Sequence, residues 1–377
     1  MMRLSKAVVG PAELEAMGRV MREDGYLGMG REVRAFEADL QAYLGGQDRQ
    51  VVCLNSGTAA LHLAVQAVTR PGDEVLVQSL TFVASFQAIS AAGAVPVACE
   101  VYPDTITLDL EDAARRLTPR TKAVMPVHYA SNPGNLAAIY EFAQHYQLRV
   151  IEDAAHAFGC TYQGQRIGSR GDIVCFSFDG LKNITSGEGG AVVTSDPRVI
   201  QSVQDARLLG VHRDTEKRYQ GGRSWEFEVY QQGYRYHMSN LFAAIGRVQL
   251  GRFEGEFKPR RIAMAQKYRS TLAGTSDLLL LQGDPGPIVP HIFPIRVLNG
   301  RRDQLRQFLL DREIESGIHY KPNHLLSFFG GELGELPVTE RVYGELLTLP
   351  LHPGLRDAEI DAAIAAVNDF LSQASDG

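Results

Sequence analysis

Short apolar runs alternate with longer helical patterns through the first two hundred residues. QVVCLNS (Gln50 to Ser56), DEVLVQS (Asp73 to Ser79), AVPVACE (Ala94 to Glu100), KAVMPVHY (Lys122 to Tyr129) and LRVIEDA (Leu148 to Ala154) read as strands. Between them TAALHLAVQAV, FVASFQAISAAG and NLAAIYEFAQHY read as helices. GDIVCFSF (Gly171 to Phe178) reads as a short buried strand, and GEGGAVVTSD (Gly187 to Asp196) as a tight turn followed by another strand. That rhythm predicts an α/β fold, a mostly parallel sheet with helices on both faces. The helical stretch LFAAIGRVQLGRFEGEF (Leu241 to Phe257) closes this part. The pattern then changes: IVPHIFPIRV (Ile288 to Val297) is strand-like, RRDQLRQFLLDREI is a helix, and a second, smaller α+β domain ends near Leu371. The expected division is a large domain over residues 1–255 and a small one over 256–377.

Composition adds exclusions. With 377 residues, 45% hydrophobic and 22% charged, the chain has ordinary globular make-up and enough length for two domains. A net charge of -6 argues against nucleic acid or an anionic membrane as the main partner. No apolar run approaches the ~20 residues that span a bilayer, and MMRLSKAVVGPAELEAM lacks the apolar core of a signal peptide. Cys53, Cys99, Cys160 and Cys175 lie singly in apolar segments without CxxC spacing, which fits small core residues in a reducing compartment. The expectation is a soluble cytoplasmic protein.

In FSFDGLKNITSGEGG (Phe176 to Gly190) a single lysine, Lys182, stands between two apolar strands. In open sheets, ligands sit at the carboxyl ends of the strands. A lysine held there loses its proton easily and attacks carbonyls. Other residues at strand ends match it. NSGTAALHLAV (Asn55 to Val65) offers helix-start N–H groups with the Ser56 and Thr58 hydroxyls as a phosphate site, although such a turn also simply caps a helix. VIEDAAHAFG ends a strand in acids, and Asp153 suits either a pyridine nitrogen or an N-cap on a following helix. Phe82 can stack on a planar ring or pack in the core, and Ser177 can add a hydroxyl to the phosphate or sit buried in its strand. An amine, a carboxylate, a phosphate cradle and an aromatic plate together match pyridoxal phosphate: the amine for the Schiff base, the carboxylate for the pyridinium, the cradle as anchor. No metal-ligand cluster or Ser/His/Asp arrangement competes in the sequence.

The chain resembles the DegT/DnrJ/EryC1/StrS aminotransferases, pyridoxal-phosphate enzymes of nucleotide-sugar biosynthesis, from about Leu4 to Leu371. The resemblance rests on GREVRAFEADLQAYLG, NSGTAALHLA, GDEVLVQSLTFVAS, IEDAAHAFG, FSFDGLKNITSGEGGAVVT, GYRYHMSNLFAAIGRVQL, HYKPNH and LPLHP in that order. It implies an aspartate-aminotransferase-like fold (fold type I), with a mixed, mostly parallel sheet in the large domain. It also implies a homodimer with active sites at the subunit interface. It makes Lys182 the lysine that binds the cofactor, pairs Asp153 with the pyridine nitrogen, and puts Phe82 and Ala155 on opposite ring faces. His156 falls near the phenolic oxygen, and Gly57, Thr58 and Ser177 at the phosphate. Where many members read GYNYRM, with the asparagine reaching the partner's cofactor phosphate, this chain reads GYRYHM. Arg235 takes that place and His237 the arginine's; a guanidinium is a stronger phosphate partner than an amide. Family dehydratases carry histidine at the lysine position, so Lys182 favours transamination.

The implied reaction moves an amino group from L-glutamate to a keto-deoxysugar on a nucleotide diphosphate, with Lys182 shuttling the proton. Alternatives are a cyclitol (inosose) aminotransferase and a non-catalytic pyridoxal-phosphate-binding regulator. For the substrate, HYKPNHLLSFF (His319 to Phe329) points to His319, Lys321 and His324, and DGYLGMG (Asp24 to Gly30) points to Tyr26. Nothing in these segments names the nucleotide or the carbon that bears the ketone.

Overall fold

A computed structural model describes residues 1–46, 48–222, 225–284 and 286–373. Helices α1 (Pro11–Arg19) and α2 (Arg31–Leu44) precede β1 (Gln50–Leu54), and α3 (Gly57–Val68) follows it at once. Next come β2 (Glu74–Gln78), α4 (Val83–Ala91), β3 (Val95–Cys99), β4 (Thr121–Met125), α5 (Leu136–Tyr146), β5 (Arg149–Asp153), β6 (Ile173–Ser177) and β7 (Gly190–Thr194). These seven strands form one sheet in the order β1-β7-β6-β5-β4-β2-β3. All neighbours pair in parallel except β7, which is antiparallel to both β1 and β6. The fold is thus α/β with a mixed, mostly parallel sheet. Every residue of β2, β6 and β7 is buried, because helices cover both faces, and that is why these strands read as continuous apolar runs.

The sheet divides the large core in two. One side gathers Phe36, Leu76, Val124, Phe158 and Phe176. The other gathers Leu54, Leu63, Val77, Met125, Ile151 and Val192. A buried Arg207–Glu37 pair at 2.7 Å, with the Cys53 N–H also on Glu37 at 2.8 Å, ties α2 to β1. All four cysteines are buried and unpaired. No helix among the described residues is long and apolar enough to cross a membrane.

After α6 (Pro197–Ala206), α7 (Asn240–Arg252) runs through a π-helical turn at Phe253–Phe257 into α8 (Lys258–Leu272), so the expected single helix 241–257 is an α-helix with a wider last turn. Then follow β8 (Leu278–Leu280), β9 (Phe293–Val297), α9 (Arg302–Leu310), α10 (Pro337–Glu345), β10 (Leu346–Leu349) and α11 (Asp357–Ser372). β8, β9 and β10 make an antiparallel sheet with its own core of Tyr268, Ile295, Leu305, Leu347 and Val367. Only the second half of IVPHIFPIRV is a strand. Residues 288–292 cross from one sheet system to the other, and large-sheet side chains engage their backbone: Asn183 Nδ2 donates to the Val289 carbonyl at 3.0 Å, and the His291 N–H donates to Ser131 Oγ at 2.9 Å. The start of the chain also joins the second unit, through a Met2–Ile314 bridge and the Leu351 N–H donating to the Leu4 carbonyl at 3.1 Å.

Candidate active site

Six strands point the same way, so the ends of β1, β2, β4, β5 and β6 open on one edge of the sheet. There a cavity of about 330 Å³ is lined by Ser56, Gly57, Thr58, Phe82, Asp153, Ala155, His156, Ser177 and Lys182 from the large unit. His291, His319 and Tyr320 close it from the small one. Its size is in the range of small-molecule sites.

Lys182 lies on the loop that joins β6 to its antiparallel neighbour β7, a connection short enough to need no crossover helix. The loop is pinned rather than free. Asn183 Nδ2 donates to the carbonyls of Phe158 and Val289, each at 3.0 Å, while Phe178 and Ile184 are buried in the core. With its neighbours anchored below, Lys182 is left to face the cavity. Burial of its amine holds its pKa below the ordinary lysine value, partly offset by Asp179 and Asp153.

Asp153 closes β5. Its Oδ2 accepts from Ser85 Oγ at 2.7 Å and its Oδ1 from the Ala155 N–H at 3.2 Å. Turns follow it, not a helix, so the capping alternative does not apply. Ser85 in turn sits 3.1 Å from Thr81 Oγ1. Phe82, at the start of α4, is 52% exposed, which removes the reading as a core residue. Its ring lies 5.4 Å from that of Tyr320.

Ser56 does cap α3, its Oγ accepting from the Ala59 N–H at 3.1 Å. This leaves the first N–H groups of the helix, at Gly57 and Thr58, directed out of its end, where an anion is favoured. Glycine is required here by close approach. A Cβ on Gly57 would lie 2.7 Å from Ser177 Cβ, and one on Gly190 would lie 2.4 Å from the Ser56 carbonyl oxygen. Helix start and strand end therefore touch, and the Ser177 hydroxyl is brought to the same spot.

The site is rich in neutral imidazoles, His291 and His319 from the small unit and His156 from the large one. His156 Nε2 is 3.2 Å from Tyr320 Oη, and the His156 and His291 rings lie 4.4 Å apart. Burial first, then the charge of Lys182, holds both well below the usual histidine pKa. The same two causes bring His319 to about 4, and its Nδ1 pairs with Thr348 Oγ1 at 2.9 Å. The Tyr129 hydroxyl donates to the His319 carbonyl.

Four expected site residues do not line this cavity. Arg235 is exposed beside the end of β1, its carbonyl accepting from Asn55 Nδ2 at 3.2 Å. The Tyr26 carbonyl accepts from Asn240 Nδ2 at 2.8 Å, which holds that segment against α7. Lys321 is exposed next to Tyr320. His324 is buried with both ring nitrogens engaged, Nδ1 with Ser79 Oγ at 2.7 Å and Nε2 with Glu340 at 3.1 Å, so it anchors its segment instead of facing the cavity. Conversely, sequence reasoning passed over Ser85, His291 and Tyr320. A histidine interrupting the apolar run IVPHIFPIRV was the visible sign of His291.

These residues fit pyridoxal phosphate. An enclosed amine, a carboxylate steadied by a hydroxyl, a helix start ringed by hydroxyls and an exposed aromatic ring share one cavity. The Nδ1 atoms of His156 and His291 are buried there without a partner among the described residues.

The sequence model of the DegT/DnrJ/EryC1/StrS aminotransferase family matches residues 9–368. A dTDP-4-dehydro-2,3,6-trideoxy-D-glucose 4-aminotransferase of Saccharopolyspora spinosa is 36% identical, covering 100% of this chain and 99% of its own. The crystal structure of the aminotransferase TlmJ from Streptoalloteichus hindustanus matches with a TM-score of 0.90 at 34% identity over 100% of both chains. Spr1654 of Streptococcus pneumoniae in its PMP form matches with a TM-score of 0.91 at 28% identity, covering 99% of this chain and 100% of the other. Its PLP form gives 0.89 at the same 28% identity over 99% of each chain.

Proposed function

The chain belongs to the DegT/DnrJ/EryC1/StrS aminotransferase family and is a pyridoxal-phosphate-dependent aminotransferase; from that premise we propose that it moves an amino group from L-glutamate to the ketone of a deoxysugar carried on a nucleoside diphosphate. The observation that carries the reading is Lys182, an amine enclosed in the same cavity as Asp153, Phe82 and the start of α3. The Saccharopolyspora spinosa relative, similar over the whole chain, supports a sugar carrying its ketone at C4.

When bound, pyridoxal phosphate supplies an electron sink to the carbon that gains or loses the amine. This chain's residues do the rest. The Gly57 and Thr58 N–H groups, with the Ser56, Thr58 and Ser177 hydroxyls, would hold the phosphate. Asp153, oriented by Ser85, would hold the proton on the ring nitrogen, with Phe82 and Ala155 available to pack against the ring. His156, kept neutral, would be the group facing the ring oxygen. Lys182, its pKa lowered by burial, takes up and returns a proton at Nζ. His319, at the small-unit wall, is available to sugar hydroxyls; Lys321, exposed outside the cavity, would reach the diphosphate, and Tyr26 the nucleotide end. The working unit is a homodimer with shared sites, which gives Arg235 a partner's cofactor phosphate to bind.

The test incubates the pyridoxamine form with a panel of C3- and C4-keto sugars on dTDP, UDP and GDP, and with an inosose. Recovery of the visible band of the lysine-linked cofactor with a C4-keto nucleotide sugar is expected. Recovery with inosose alone would replace the sugar reading by the cyclitol one.

A further inference from the structure

One imidazole faces the reacting amine without having been assigned any part in the site. His291 Nε2 lies 3.5 Å from Lys182 Nζ. The ring is supplied by the small unit, yet its backbone is fixed to the large one. The His291 N–H donates to Ser131 Oγ at 2.9 Å, and that hydroxyl donates to the His156 carbonyl at 2.5 Å. On the other side, Arg261 Nη1 donates to the His291 carbonyl at 3.2 Å. Ser131 makes this clasp from a φ of +72°, after Ala130 at +50°. Two successive side-chain-bearing residues in the left-handed region persist only where their surroundings over-determine them.

We propose that His291 is the positioning residue of Lys182, its Nε2 accepting a hydrogen from the amine and so fixing where the nitrogen's free valence points. The inference rests on Lys182 being the reacting amine. A neutral amine has two N–H groups and one lone pair. An Nε2–H donor would occupy the lone pair and block both attack and proton uptake, whereas an acceptor engages an N–H and leaves the lone pair free. The imidazole proton therefore belongs on Nδ1. Burial and the nearby Lys182, His156, Arg261 and His319 all disfavour charge on His291, so it orients the amine and takes no proton itself.

The test starts from cofactor-free protein and follows the pH dependence of Lys182 acetylation by acetic anhydride, read by peptide mass spectrometry. His291→Phe keeps a ring but removes the acceptor, and His291→Gln places an amide oxygen within reach of the Nε2 position. A hydrogen bond to the charged form raises a lysine pKa, so losing it should lower the Lys182 midpoint by about one pH unit in the Phe variant. The Gln variant should restore most of it. In the loaded enzyme the Phe variant should lose kcat with KM for the sugar little changed, the signature of lost orientation. A folded Phe variant with the wild-type Lys182 midpoint overturns the proposal. Should that variant not fold, His291→Asn, one methylene shorter than Gln and out of reach, takes its place, and equal midpoints for Asn and Gln overturn it. The first readout needs neither cofactor nor sugar, so its failure leaves the proposed reaction standing.

Discussion

Replacing Gly57 by alanine tests the contact on which the phosphate cradle depends. The new Cβ would lie 2.7 Å from Ser177 Cβ, 2.9 Å from its Oγ and 3.2 Å from its Cα. Carbon pairs settle at about 3.5–4.0 Å, so close to 1 Å must be found between the start of α3 and the end of β6. Turning the Ser177 side chain away relieves only the Oγ contact; the Cβ and Cα belong to a fully buried strand and must move with it. Overpacking of this kind costs about 1–3 kcal/mol. That loss should appear in urea unfolding of the cofactor-free protein as a lower midpoint with unchanged slope. Parting helix and strand also spoils the aim of the Gly57 and Thr58 N–H groups. Loss of one hydrogen bond to a charged phosphate, about 1.5–3 kcal/mol, weakens pyridoxal phosphate binding roughly tenfold to a hundredfold. The double variant Gly57→Ala/Ser177→Gly removes the Cβ and Oγ contacts and should regain part of the stability but little of the affinity, since the hydroxyl is gone. Cofactor affinity within ~2-fold of wild type in Gly57→Ala, a difference of about 0.4 kcal/mol, would refute the reasoning.

Asp153→Asn should retain cofactor but slow turnover by orders of magnitude, because an amide does not hold the proton on the ring nitrogen; a near-normal rate in a stopped-flow half-reaction rules that role out. Arg235→Ala should weaken pyridoxal phosphate binding by about tenfold at protein concentrations where sedimentation shows an intact dimer; unchanged affinity with easier dissociation would make Arg235 an interface residue only. The folded-state pKa of His319, about 4, is below the ordinary value of ~6.5, so the unfolded chain binds the extra proton first as pH falls. The stability linked to this group is full above pH ~6.5 and lost towards pH 4, up to about 3 kcal/mol. Urea midpoints of cofactor-free protein should fall across that window, and less steeply in His319→Gln; parallel pH profiles count against the linkage.

The strands were legible because helices cover both faces of the sheet and leave apolar runs such as Val75–Val77 in β2 and Ile173–Phe176 in β6. The reversal of β7 left a sign as well: the loop from Phe178 to Gly189 carries no helical pattern, and a parallel return requires a crossover. Lys182, Asp153 and the Ser56 and Thr58 hydroxyls stood out as chemistry placed at strand ends. Ser85 did not, being one serine in an apolar helix whose partner is 68 residues away. His291 reaches Lys182 across 109 residues, and no local pattern links two units that meet only in three dimensions. His324 misled for a related reason. It shares a segment with His319, but the chain turns between them, and one histidine enters the cavity while the other is taken up by Ser79 and Glu340.

The order of strands in the large sheet also sets a timetable for synthesis. β2 through β6 find their neighbours among one another as the chain grows, whereas β1 must wait for β7 and, later still, for a bridge from Leu54 to His237, and 135 residues separate Leu54 from Gly190. At ~5–20 residues per second, QVVCL waits on the order of ten seconds beside the ribosome with its backbone groups unpaired. The edge that awaits β7 is a template for any passing strand in that interval. In the nascent chain Glu37 of α2 is already at hand to hold QVVCL in place through the Cys53 N–H, so substitutions that loosen this early contact should reduce the yield of native protein before they reduce the stability of the finished one.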